Sequence, residues 1–323
     1  MINSSRRAIL AGLLMPLAGS LRAAEWPARS LTWLVPYPAG GGSDIFARPI
    51  AAHLANQLGQ PMVVDNRGGA GGILGTAVVA RAPADGYTLL IGDTGLTFAP
   101  VLYPNAGFDF DRDFAPISAL ARVPYVLLVN PQRLDVATLG QFIDTARRKP
   151  GAIDMGSTGL GTITHLAIGL FEARAGIKVH HIPYRGGGPM LQDLLSGQIA
   201  AAFVVANAAA SYVKAGKLNA LAIANRRREA LLPDVPTAEQ AGLADFRATI
   251  WFGLFAPRRT ADEILDRLHD GVQTALQADD IKRSWSEQGA RVELESRADF
   301  ARFVMQETER WSRIAKAANI QMN

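Results

Sequence analysis

Short apolar stretches alternate with amphipathic ones along most of this chain, and five of the apolar stretches run straight into glycine-rich turns. That alternation constrains the fold more than any other feature. "LTWLVPY" (31–37) reads as a buried strand. Phe46, Ile50, Leu54 and Leu58 then recur every fourth residue up to Gly59, as on the buried face of a helix. Ser43 fits the N-cap, and Asp44 suits the first turn. "PMVVDN", a helix over 72–82 and "YTLLIGD" complete a β-α-β-α-β series, which implies a parallel sheet with helices on its faces.

After Phe98 the pattern becomes irregular, and "FAPISALARVPYVLLVNP" holds two apolar runs, 117–121 and 125–129. A second series follows: helix 138–149, "AIDMGST", helix 162–175, "VHHIPY", helix 188–196, "IAAAFVV", helix 208–215 and "LNALAIA". "IWFGLFAP" and helices over 261–277, 279–288 and 298–317 close the chain. At 323 residues two domains are expected. The predicted fold is α/β, with two domains, each a mixed sheet flanked by helices. Crossover strands near 120–125 and 247–251 give residues 25–122 plus 250–323 as domain 1 and 123–249 as domain 2, with a ligand cleft between them.

The glycine turns suggest what the cleft holds. "PAGGGSD" (38–44) places glycines before a helix, where unpaired N–H groups attract an anion. A phosphate loop would need G-x-x-x-x-G-K-[ST], and no lysine occurs in residues 1–148. One carboxylate needs only a few N–H and O–H donors. "DNRGGAGGILG" (65–75) has five glycines in eight residues but lacks the G-x-G-x-x-G spacing of a dinucleotide site. Asn66 there could reach a ligand, or the glycines could serve close packing alone. In "GDTG" (92–95), Thr94 is expected to donate while Asp93 points away from an anion. "GSTGLGTITH" (156–165) and "YRGGGP" (184–189) are the fourth and fifth such turns. Five turns facing one cleft favour a binding protein that closes on a small ligand.

Export is the second expectation. Arg6 and Arg7 precede an apolar run, 8–21, which small residues follow, so residues 1–24 read as a signal peptide of the Sec or twin-arginine kind and the mature protein as periplasmic. Its removal takes three arginines and no acid from a formal charge of +4, leaving +1, so the basic balance does not argue for nucleic acid. The absence of cysteine excludes disulfides and thiol chemistry. No apolar run beyond the N-terminus is long enough to span a membrane.

Enzyme signatures are weak. There is no G-x-S-x-G, and Ser211 and Lys214 match S-x-x-K without its companion motifs. His165, His180 and His181 lack metal spacing with acids. Arg226, Arg227 and Arg228 read as a solvated run. The remaining enzymatic alternative is a hydrolase or lyase using His165 with Ser157 or Tyr184. No catalytic residue, metal or cofactor is expected.

Taken in order, "VPYPAGGGSDIFAR", "VDNRGGAGG", "ADGYTLL", "GSTGLGTITHLAIGLF", "IPYRGGGPMLQDLLSGQI", "VKAGKLNALAI", "LPDVPTAEQAGL" and "WFGLFAPRRT" resemble the Bug family, the substrate-binding receptors of tripartite tricarboxylate transporters. The resemblance runs from about residue 26 to the C-terminus. It implies a flytrap-like periplasmic receptor, expected to be a monomer, that hands a small carboxylate to a membrane permease with large and small subunits. A sensory receptor is the alternative role. Carried over by motif, the ligand contacts are Tyr37, Ala39, Gly40, Gly41, Ser43, Asp44, Asn66 and Thr94 in the first domain. In the second they are Thr158, Gly161, Thr162, His165, Tyr184 and Arg185. Many relatives carry an aspartate where this chain has Val204, which favours a plain or more apolar carboxylate, with Asn207 as a partial substitute.

Overall fold

A computed structural model describes residues 26–317 of the chain; the predicted export segment lies outside them. The elements begin β1 (Leu31–Val35), α1 (Gly42–Leu58), β2 (Met62–Asn66), α2 (Ile73–Ala80), β3 (Thr88–Asp93), α3 (Thr94–Leu102) and α4 (Phe110–Asp113). Next come β4 (Phe114–Val129), α5 (Leu139–Arg148), β5 (Asp154–Ser157), α6 (Ile163–Ala175), β6 (His180–Pro183), α7 (Gly187–Ser196), β7 (Ala201–Val205), α8 (Ala206–Lys214) and β8 (Asn219–Ile223). The chain continues with β9 (Thr249–Pro257), α9 (Asp262–Leu276), α10 (Asp279–Glu287), β10 (Arg291–Val292) and α11 (Arg297–Ala317). The strand order is β2-β1-β3-β9-β4-β7-β5-β6, with β8 and β10 also paired to β4.

Both predicted α/β series are present as parallel groups. β1 pairs in parallel with β2 and β3, and β5 with β6 and β7. The antiparallel strands β4 and β9 lie between the groups.

Four local expectations need correction. The two apolar runs of 114–129 are one 16-residue strand. Pro116 and Ser118 interrupt the apolar pattern where the register with β9 is irregular, and Arg122 stays in register, paired with Glu293 and Glu295 at 2.9 Å. After Phe98 the chain is helical to Leu102 rather than irregular. α3 has buried residues around most of its circumference and contains Pro100, so it shows no amphipathic period. The N-cap of α1 is Gly41, not Ser43, and no side chain caps it. The predicted helix at 72 begins at Ile73, after a 3-10 turn over Ala70–Gly72.

The core forms around β4 and β9. Phe46 of α1 lies 4.7 Å from Phe252 and edge-on to Trp285 at 5.0 Å, tying α1 and α10 to the sheet. α11 runs along α3 and β4 and reaches α6. Its Trp311 is fully buried 6.2 Å from Phe98, in a cluster shared with Phe142, Phe171 and Phe203.

Candidate functional site

A cavity of about 410 Å³ lies where the N-terminal ends of α1, α3 and α6 converge. These ends follow β1, β3 and β5, so each helix is delivered by the carboxyl end of a strand. The three ends differ in how their N–H groups are satisfied.

At α1 the end is open. Gly40 N–H is bonded to Asp44 and Gly41 N–H to the Pro38 carbonyl at 3.3 Å, while Gly42 and Ser43 follow with no side-chain cap. Ser43 is 4% exposed, lines the cavity, and its hydroxyl makes no hydrogen bond among the described residues. With no partner among the described residues and a place on the cavity wall, this hydroxyl is free to meet a ligand.

At α3 the end is closed. Asp93 Oδ1 accepts the N–H groups of Gly95 at 2.8 Å and Leu96 at 3.2 Å. Tyr37 also lies close enough to Asp93 for the two groups to shift each other's pKa. Burial raises the Asp93 pKa, against the lowering effect of Tyr37 and the two N–H groups. Burial, and then the Asp93 charge, push the Tyr37 hydroxyl well above its ordinary range and raise Tyr125 in the same way.

At α6 the end is capped by a hydroxyl cluster. Thr162 Oγ1 accepts His165 N–H at 3.4 Å and donates to the Gly159 carbonyl at 2.8 Å. The hydroxyls of Thr158, Thr162 and Thr164 lie within 2.8–3.1 Å of one another. Gly161 N–H donates to His165 Nδ1 at 3.1 Å, which requires that nitrogen to be unprotonated. Burial, helped by neighbouring His181, lowers the His165 pKa to about 4 and keeps it so.

The sequence-predicted residues divide. Tyr37, Gly41, Ser43, Thr158, Gly161 and Thr162 line the cavity. Gly40, Asp44 and Asn66 form a brace behind it: Asp44 accepts from Gly40 N–H at 2.9 Å, Arg48 at 2.8 Å and Asn66 Nδ2 at 2.9 Å. The same Asn66 amide reaches the Tyr37 carbonyl at 3.1 Å. Burial works to raise the Asp44 pKa, but its donors outweigh that effect and lower it. Thr94 turns to β9, accepting from Trp251 N–H at 3.0 Å, while Asp93 takes the cavity position; this reverses the expected roles.

Five other predicted residues, Ala39, His165, Tyr184, Arg185 and Asn207, also lie off the cavity wall. Ala39, Arg185 and Asn207 are exposed. Tyr184 donates to Asp193 at 2.8 Å, and burial with that bond pushes its hydroxyl up to about 12. Val204 packs in an apolar cluster with Leu128 and Met190. His165 stacks on His181 at 4.1 Å and borders a second, larger space of about 890 Å³ behind α6. The partner of Ser157 is His181 Nε2, at 2.6 Å, not His165, and Ser157 is fully buried.

Sequence reasoning missed the apolar wall, which includes Ile73, Ala99, Ile163, Ile250 and Phe252, and the tyrosines at 103 and 125. Among the described residues, no lysine, arginine or histidine lines this cavity.

Residues 46–320 match the family model described as the tripartite tricarboxylate transporter family receptor. Protein BugT of Bordetella pertussis is 34% identical over 320 residues, 98% of this chain and 98% of its own. Among solved structures, R. palustris Rpa4515 with adipate is similar at a TM-score of 0.80 and 36% identity, covering 92% of this chain and 99% of that one. The periplasmic binding protein BugD is similar at 0.77 and 29%, covering 92% and 100%.

Proposed function

The chain belongs to the family of tripartite tricarboxylate transporter receptors, and from that premise we propose that it captures a small carboxylate between the N-termini of α1 and α6 for hand-over to a membrane permease. Its family and structural relatives are solute-binding receptors, not enzymes, which sets aside the hydrolase and lyase reading.

The observation that carries the proposal is the uncapped start of α1 beside the free Ser43 hydroxyl, in a cavity shared with Thr158, Gly161 and Thr162. A carboxylate set there meets backbone N–H groups and a hydroxyl at the positive end of a helix macrodipole. Charge-assisted bonds of this kind need no arginine. Micromolar affinity corresponds to about −8 kcal/mol, within reach of a few such bonds plus apolar contact. In this reading residues 25–122 with 250–323 form one lobe and 123–249 the other. Ligand binding draws the Thr158–Thr162 loop toward α1. The protein works as a periplasmic monomer, and its membrane partner has large and small subunits.

The test is calorimetry and thermal shift with a panel of mono-, di- and tricarboxylates, since a ligand of the native state alone raises Tm. Saturable binding that Ser43→Ala weakens is the expected result. A panel with no binder, or turnover of any member, would overturn the proposal.

A further inference from the structure

Two helix N-termini stand side by side in the cavity with opposite equipment. Strands β1 and β3 are paired in register, and each ends at one of them. The α1 end is open, as described. The α3 end is already occupied, because the Asp93 carboxyl, 4% exposed, takes the N–H groups of Gly95 and Leu96. Tyr37 lies beside Asp93 and lines the same cavity. Tyr125 lies close enough to feel the Asp93 charge. The rest of the wall is largely apolar, with Ile73, Ala99, Ile163, Ile250 and Phe252, and no cationic side chain among the described residues.

Resting on the carboxylate-receptor reading of this same site, we propose that Asp93 makes the cavity selective for monocarboxylates with an uncharged, apolar remainder, by occupying the seat that a second carboxylate would take. One ligand carboxylate has an open helix end and Ser43 to meet. A second would meet a fixed carboxyl whose donors are already committed, with no cation to offset the repulsion. Like charges within a few ångströms are mutually unfavourable, and burial in a low-dielectric site magnifies the effect. The apolar remainder instead gains from the isoleucine and phenylalanine surface. By this criterion the chain differs in preference from its relative Rpa4515, which was solved with adipate.

Matched probes isolate the effect. Hexanoate and adipate share a chain length and differ by one carboxylate; benzoate and terephthalate form a second such pair. Calorimetry of the full mature protein is expected to give the monocarboxylate of a pair an affinity at least about tenfold tighter. Asp93→Asn keeps a side chain that caps α3 well and removes the charge. It is expected to close most of the gap by improving diacid affinity. Unchanged thermal unfolding of the variant would verify the cap. Equal or tighter binding of the diacids by the wild type, or a gap that survives Asp93→Asn, overturns the selectivity and leaves the receptor reading standing. Failure of every carboxylate to bind overturns both.

Discussion

His165 Nδ1 accepts the backbone N–H of Gly161 at 3.1 Å, so a histidine behind the cavity fixes the backbone of a loop that lines it. The bond exists only while the imidazole is neutral. With a folded pKa of about 4 against an ordinary 6.5, the unfolded chain binds more protons than the folded one between those values. Stability is therefore expected to fall as pH drops from about 6.5 toward 4. Urea unfolding across that range checks it. His165→Gln, which retains an acceptor and cannot titrate, should flatten the slope; His181, whose pKa burial also lowers, contributes to what remains.

Gly41 lines the cavity, and a Cβ there would meet the Pro38 carbonyl at 3.2 Å. Gly41→Val is expected to weaken carboxylate binding by tenfold or more, about 1.4 kcal/mol, because the branched side chain stands where the ligand approaches the N–H groups. Its fold should persist, since Gly41 has φ −75° and needs no left-handed backbone. Paired calorimetry and circular dichroism separate the two effects.

Asp44 touches no ligand in this reading, yet its removal should reduce affinity. Asp44→Ala strands the Gly40 N–H and frees Arg48 and Asn66, loosening the loop that carries Gly41 and Ser43. A stability loss of about 1–3 kcal/mol is expected from the unmet partners. Because the folded pKa of Asp44 is lowered, its contribution is present above the ordinary carboxylate value and lost as pH falls through the folded one. Denaturant midpoints for wild type and variant should therefore converge in acid.

Trp311 is the tether of the C-terminal helix. Trp311→Ala is expected to cost about 3–5 kcal/mol, from lost burial plus a cavity next to Phe98. A variant within 1 kcal/mol of wild type in urea unfolding would contradict that role.

Much of this architecture is legible in residue order. The alternation of apolar runs and period-four helices locates nearly every element, because strands and helices that pack on a sheet must carry those periods. Glycine turns at strand ends mark the α1 and α6 rims of the cavity for the same reason. What escapes is whatever long-range pairing decides. Asp93 lies opposite Phe252 in the β3–β9 ladder, 159 positions apart in the chain, and nothing local announces that neighbour. Asp93 and Thr94 exchange expected roles because β9 offers Trp251 N–H to the threonine, leaving the aspartate to cap α3. Asp44 and Asn66 have the right chemistry for a ligand, but their atoms are used on Gly40, Arg48 and each other.

The unbroken course of β4 has a mechanical consequence. It is bonded to β9 from Phe114 to Pro124 and to β7 from Tyr125 to Val129, with no slack residue at the changeover. Any rotation of one strand group against the other must therefore twist a hydrogen-bonded ribbon instead of swinging on a loose joint. A twisted ribbon exerts a restoring torque, so the empty protein has a preferred aperture set by strand register. In the proposed receptor, closure on a carboxylate would load that ribbon with torsion and favour reopening once the ligand is drawn away.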